Sequence, residues 1–469
     1  MKRLLVLFCI VVLCCLPAVM AVAQSASSAT ITGQVADPQG AVITGAKVTA
    51  TNVATGISRT ANTTGAGDYT IPNLPPATYD VKVEAAKFMP GEAKAVKLNV
   101  GDQRDLNFKL TVAGSTQTIE VTGLAPLIET TKTEVSTSVT DVDLQKLPTF
   151  AAITGGANDY ASLALTAPGV KLDTSTLTGD LIGPGSINNR ANLYNVDGAN
   201  ITDQIASGRD AVGASVDEIQ EFQVLTNNYN AEYGQAGGLV INAVTKSGTN
   251  QIHGDGHMYF RGRNLQAASP IYNLQLLQSA IPQSAPPTGV GGPPRCPDAD
   301  FTGSVMNSVD GCPRAPFHRK EGGFTLGGPF IKDKLFWFGS WELSRQGLPL
   351  TLTSSPAVTV QQPVNNHLWS AKMDWKISSN HILSARFNED WLVQDNLIVQ
   401  TSNNVTPNDL VSNTAHISML NVGLVSSVTP TLVNEARFFR WRGLNDTPDK
   451  TTTPGAIHTG TGTISGANF

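Results

Sequence analysis

Charge, cysteine and long apolar runs are all scarce in this chain of 469 residues, and each shortage closes off a class of protein. Charged residues make up 15% of the sequence, against an ordinary hydrophobic content of 41%. With Lys2 and Arg3 set aside, 30 basic residues face 37 acidic ones, a net charge of −7, which gives nucleic acid or an anionic surface no footing. Sustained 3.6-residue periodicity is missing, while Gly 43 and Pro 27 mark frequent turns, so the chain reads as mainly β. One apolar run, Leu4 to Leu16, falls short of the roughly 20 residues that a spanning helix needs. Preceded by Lys2-Arg3 and followed by Pro17 and Ala21-Val22-Ala23, it reads as a secretory signal peptide over 1–23, with the mature chain starting at Gln24.

Chemistry is scarce as well. There is no nucleophile elbow, no phosphate-binding loop ending in Lys-Ser/Thr and no dinucleotide fingerprint, so neither an enzyme nor a cofactor is expected. Cys9, Cys14 and Cys15 leave with the signal, and Cys296 and Cys312 remain in a Pro-rich stretch. An even pair in an exported protein points to a disulfide, with two free thiols as the alternative. His318-x-x-Glu321 has a two-ligand zinc spacing but enters a strand hairpin with no catalytic context. His253, Asp255 and His257 share one strand face and read as a polar stripe, so no metal site is expected. Asp217-Glu218 and Glu389-Asp390 are adjacent pairs, which on strands point to opposite faces and are expected to be solvated.

From Ala29 to Val112, short β-rich runs alternate with Gly, Asn and Pro turns: ITGQVAD, AKVTATN, YTIPNL, YDVKVEA, KAVKLNV and RDLNFKLTV. Six or seven strands at that spacing predict a small antiparallel sandwich over 29–112. Gly33-x-Val35-x-Asp37-x-x-Gly40-Ala41, Gly45-Ala46-x-Val48, Gly67-x-Tyr69 and Leu74-Pro75-Pro76-x-x-Tyr79-x-Val81 resemble the carboxypeptidase-regulatory-like domain, with Ala77 where a glycine is usual. The resemblance implies a fold and no catalysis; it also brings a similarity to carbohydrate-binding-like folds.

Ala113 to Thr140 is Ser/Thr-rich, with few large apolar residues to pack. The residues after it carry an ordered series of motifs. These are Leu144-x-x-Leu147-Pro148, Pro168-Gly169-Val170, Asn195-Val196-Asp197-Gly198, Asp217-Glu218-Ile219-Gln220-Glu221-Phe222 and Asn228 to Gly254, NYNAEYGQAGGLVINAVTKSGTNQIHG. In order, they resemble the plug, and then the join to the barrel, of TonB-dependent outer-membrane transporters of the Oar-like type. The resemblance implies an α+β plug over 125–247 and, over 248–469, the first part of an antiparallel transmembrane β-barrel. In the connecting 113–124, Thr118, Ile119, Glu120 and Val121 resemble a TonB box, whose backbone can add a strand to the energising protein; an ordinary first strand of the next domain is the alternative.

After Gly248, alternation dominates. Trp369, Ala371, Met373 and Trp375 interleave with Ser370, Lys372 and Asp374, and Leu335, Trp337, Trp341 and Leu343 share another face, as an aromatic-girdled barrel requires. A Pro/Gly-rich insertion from Asn264 to Phe317 has the character of a long external loop holding Cys296 and Cys312. Seven or eight strands are legible where such transporters have about 22, so the chain is expected to be a fragment. The implied partners are the TonB complex, outer-membrane lipid and an extracellular ligand; the implied location is the outer membrane with the sandwich in the periplasm. The competing expectation is a secreted or surface-attached carbohydrate-binding scaffold without transport.

Overall fold

The computed structural model describes residues 28–112, 134–144, 160–173, 180–186, 189–202, 213–230, 233–262, 318–352, 358–398, 410–429 and 432–446. The signal peptide, Thr118 to Val121, Cys296 and Cys312 lie outside the described residues.

The first eight strands build two facing sheets. They are β1 (Ala29–Ala36), β2 (Lys47–Asn52), β3 (Ser58–Asn62), β4 (Asp68–Leu74), β5 (Ala77–Glu84), β6 (Gly91–Leu98), β7 (Gln103–Asp105) and β8 (Phe108–Lys109). One sheet runs β3-β2-β5-β6; the other runs β4-β1-β7, with β8 also pairing β1. Alternation works as the sequence implies: Val48, Ala50, Val81 and Val83 are fully buried, with Ile31, Ile71 and Phe108 across the core. Gly33 is obligatory, because a Cβ there would stand 2.0 Å from the Leu106 carbonyl oxygen, which also accepts a 2.6 Å hydrogen bond from Tyr69. One expectation needs correcting. The sandwich is not antiparallel throughout, since β7 and β8 run parallel to β1. They follow β6 of the opposite sheet, and a chain crossing between sheets arrives without the reversal that a hairpin imposes.

The second unit comprises β9 (Val135–Thr140), the short α1 (Asp141–Leu144), β10 (Lys171–Asp173), β11 (Asp180–Ile182), β12 (Leu193–Val196), β13 (Ala199–Asn200), β14 (Ile219–Asn227) and β15 (Val240–Thr245). Its main sheet has the order β13-β12-β15-β14-β9. Every residue of β15 is buried, so the sheet is covered on both faces. Tyr160 to Thr166, an apolar patch in the sequence, forms a 3-10 helix that packs Tyr160 and Leu163 against Phe222, Val224 and Ile241. The turn between β12 and β13 is Asp197-Gly198, both at positive φ, the geometry that two-residue hairpins favour.

Seven long strands form the third unit: β16 (His253–Gly262), β17 (His318–Ile331), β18 (Leu335–Leu352), β19 (Val358–Lys376), β20 (His381–Ile398), β21 (Leu410–Thr429) and β22 (Leu432–Asp446). They pair antiparallel in strict chain order, an open sheet with β16 and β22 at its edges. Their polarity is inverted relative to the sandwich. Phe324, Trp341, Trp369 and Trp391 are exposed at 52%, 37%, 38% and 53%, while Glu342, Arg386 and Asn388 on the other face are 2%, 3% and 1% exposed. Water would favour the reverse, so the apolar face belongs against lipid. Among the described residues no helix is long and apolar enough to cross a membrane.

Two of the strand junctions, at Lys332 to Lys334 and Ile377 to Asn380, and the two-residue step after β21, are short; the others are longer, up to the stretch 263–317. The sandwich sits against the short-turn rim. Asn250 donates from its backbone to the Ala54 carbonyl at 3.0 Å and from its side chain to Asp333 at 2.7 Å, and Arg59 reaches Ser427 at 2.9 Å.

Candidate functional site at the seam between plug and wall

The register of the third unit, the wall, creates a problem that the second unit, here termed the plug for its place against the wall's charged face, solves. Lys372 on β19 lies directly opposite Arg386 on β20, both on the buried face, and like charges so placed repel. Two plug carboxylates enter between them. Asp197 reaches Lys372 Nζ at 3.2 Å and Arg386 Nε at 3.9 Å; Glu218 accepts from Arg386 Nη2 at 2.6 Å. Ser340 and Ser370 also donate to Glu218, so this carboxylate, 1% exposed, has partners for both oxygens.

Local structure aims each group. Asp197 occupies the β12–β13 turn, where Thr245 holds its oxygens through a backbone bond of 3.0 Å and a hydroxyl bond of 2.6 Å. Lys372 in turn donates to the Thr245 carbonyl at 3.2 Å. Burial alone would push the Asp197 carboxyl up, but Lys372, Arg386 and the Thr245 hydrogen bonds outweigh it and hold the group below the usual carboxylate range. Glu218 ends a 3-10 turn, Val216–Glu218, whose start is capped by Ser215 accepting from the Asp217 amide. Breaking one partner of such a buried pair costs about 3–5 kcal/mol, since the other charge stays buried.

This overturns the expectation that Asp217 and Glu218 are solvated. They sit on a 3-10 turn rather than a strand, and that turn is pressed onto the wall, with Asp217 2.9 Å from His257 and Glu218 among the wall's hydroxyls and Arg386. Glu389 and Asp390 do point to opposite faces, but neither is simply solvated. Glu389 pairs with His416, and Asp390 accepts from the Gly213 amide of the plug at 3.3 Å. His318 and Glu321 are not brought together: an odd spacing on β17 leaves His318 exposed and Glu321 buried beside Arg319 at 3.0 Å. His253 stays at the rim with Thr249, 3.2 Å away, apart from the His257 cluster.

Where sandwich, plug and wall meet there is a cavity of about 570 Å³, whose lining includes Arg59, Tyr79, Gln220, Lys372, Arg386 and Arg437. Gln220 donates to the Pro76 carbonyl at 2.9 Å, and Glu221 accepts from the Val100 amide at 3.0 Å, so the sandwich touches the plug beside this space. The lining is polar and charged toward the wall, with Lys372, Arg386 and Arg437 beside Asp197, Asp374 and Glu435.

The carboxypeptidase regulatory-like domain family matches residues 30–111, and an outer membrane beta barrel domain family matches residues 300–362. The chain is 28% identical over 325 residues to the TonB-dependent transporter Oar of Myxococcus xanthus, an overlap of 68% of this chain and 27% of that protein. Among solved structures it overlaps the outer membrane transporter YddB from Escherichia coli, at 12% identity and a TM-score of 0.45, over 66% of this chain and 39% of the other. The siderophore receptor PirA from Acinetobacter baumannii overlaps at 15% identity and a TM-score of 0.43, over 66% and 40%. The chain thus spans about a quarter of its curated relative's length. A carboxypeptidase regulatory-like sandwich followed by outer-membrane β-barrel strands, with Oar as a sequence relative, makes this chain similar to TonB-dependent outer-membrane receptors of the Oar type.

Proposed function

We propose that the chain is the periplasmic and plug-bearing portion of a TonB-dependent receptor that binds an extracellular ligand and takes it up through the barrel. The observation that carries this reading is the wall of inverted polarity whose inner, charged face is filled by a separate α+β unit. A wall with lipid outside and a folded plug inside conducts nothing until the plug is moved. An outer membrane has no ATP and no ion gradient of its own, so the pull has to come from the TonB complex, acting on the chain ahead of the plug. Thr118 to Val121 is our candidate for that contact, by its resemblance to a TonB box. Placement of the sandwich at the short-turn rim supports a periplasmic location for it, because short turns face the periplasm in such barrels. Cys296 and Cys312 would then lie outside the cell, in the long connection after β16, as a disulfide pair.

Protease treatment of intact cells tests the orientation: the sandwich should survive until the outer membrane is permeabilised. Digestion of the sandwich in intact cells would reverse the orientation, and recovery of the chain in a soluble secreted pool would favour the carbohydrate-binding scaffold instead. Deleting Thr118 to Val121 should abolish cross-linking to TonB; unchanged cross-linking would move the contact elsewhere.

A further inference from the structure

The first three wall strands place His257 on β16, Gly323 on β17 and Glu342 on β18 in one row, each directly opposite the next. Gly323 is what lets the histidine reach across. A Cβ there would stand 2.8 Å from Cε1 and 3.1 Å from Nε2 of the His257 ring. On its other side the ring meets the plug, with Nδ1 2.9 Å from Asp217 Oδ2. Nε2 then points toward Glu342, 3.9 Å from Oε2, and has no hydrogen-bond partner.

The surroundings are rich in carboxylates. The His257 and Glu342 side chains are 7% and 2% exposed, and the Glu342 carboxyl lies against that of Glu321. Glu321 and Glu342 stand on adjacent strands within interaction range of each other, with Asp217 close by. Arg319 stands 3.0 Å from Glu321. Asp217, Glu321 and Glu342 thus crowd around the His257 ring and its row, an arrangement that attracts a cation. Ser215 donates to Oε2 of Glu342 but brings no charge.

We propose that His257 and Glu342 bind one divalent transition-metal ion, zinc being the best match, and that Asp217 on the plug orients the histidine. Ligand atoms of Asp217, His257 and Glu342 all lie within 4.8 Å of one another. An ion about 2.0–2.2 Å from nitrogen and oxygen ligands fits between two atoms 3.9 Å apart. A borderline donor set of one imidazole with carboxylates suits zinc better than calcium or magnesium, which prefer oxygen alone. Asp217, accepting from Nδ1–H, fixes the tautomer that leaves the Nε2 lone pair for the metal, the usual carboxylate–histidine–metal arrangement. This departs from the sequence reading, which expected no metal site, and it is independent of what the receptor transports.

The test is zinc titration of the full chain in detergent, stripped with a chelator and followed by competition with a chromophoric chelator. One zinc per chain is expected. Glu342→Gln and His257→Ala should each weaken binding at least ~100-fold, and Asp217→Asn by about 10–100-fold, the range for groups that orient a ligand. His416→Ala, which alters a half-exposed histidine–carboxylate pair elsewhere on the wall, should leave it unchanged. No stoichiometric zinc in the wild-type chain, or equal affinity in His257→Ala, overturns the proposal. Should those variants fold poorly, zinc X-ray absorption on the loaded wild-type chain decides: one imidazole nitrogen with carboxylate oxygens supports the site, and an all-oxygen shell overturns it.

Discussion

The sandwich and the strand wall are both antiparallel in the main and both alternate, yet they bury opposite things. In the sandwich, Val81 and Val83 turn inward and Lys82 and Glu84 outward, so the surface is polar and the core dry. In the wall, Trp369 and Trp375 turn outward, while Ser370, Lys372 and Arg386 turn inward. A period of two fixes which residues share a face; solvent decides which face is covered. The wall is therefore stable only with two partners, lipid on one side and a complementary polar body on the other. The plug supplies the second through Asp197 and Glu218.

The comparison breaks most sharply if charge is removed from each unit. Arg386→Ala should cost about 3–5 kcal/mol, because Glu218 is left buried and unpaired, and the loss should appear as easier plug release in denaturant titrations in detergent. Lys82→Ala in the sandwich removes an exposed partner of Glu84 and should produce no measurable change. An equal effect of the two would dissolve the distinction.

Apolar truncation runs the other way. Phe108→Ala should destabilise the sandwich by about 3–5 kcal/mol in a denaturation experiment, since Phe108 is 1% exposed in a packed core. Trp369→Ala should change detergent stability far less and instead reduce membrane insertion, because its ring has no protein core to leave.

A smaller effect concerns pH. The Asp197 carboxyl titrates lower in the folded chain than in the unfolded one, so its stabilising contribution is fully present at neutral pH and begins to fall once pH enters the ordinary carboxylate range. The loss is complete once pH has fallen through the depressed folded value. Melting curves of the wild type and Asp197→Asn should therefore differ at pH 7 and converge only in strong acid; convergence already near neutral pH would mean that the Lys372 and Arg386 contacts are not formed.

How much of this was legible follows from range. Alternation in Trp369 to Trp375 is local, and the sequence assigns its faces correctly. The Gly33 and Tyr69 positions likewise carry their structural task in a short pattern. The seam was not legible, because Glu218 meets Arg386 across 168 residues and Asp197 meets Lys372 across 175. Neither carboxylate sits in a motif with charge as its theme, and adjacency of Asp217 and Glu218 suggested a solvated pair. A signal did exist in the wall: Lys372 and Arg386 fall on the face opposite the tryptophans, and two cations on a face predicted to be enclosed require anions from elsewhere. The parallel return of β7 and β8 was hidden for another reason, since strand direction within a sandwich depends on which sheet the chain has just left.

The central claim, that the wall has lipid on its tryptophan face and plug on its charged face, is tested most directly at two consecutive residues. Trp369→Cys and Ser370→Cys, each in the membrane-inserted chain with other thiols blocked or removed, would carry a fluorophore read with lipid-attached and water-soluble quenchers. The account predicts strong lipid quenching at 369, with 370 shielded from lipid beneath Glu218. Lipid quenching at 370, or water-soluble quenching alone at 369, would contradict it.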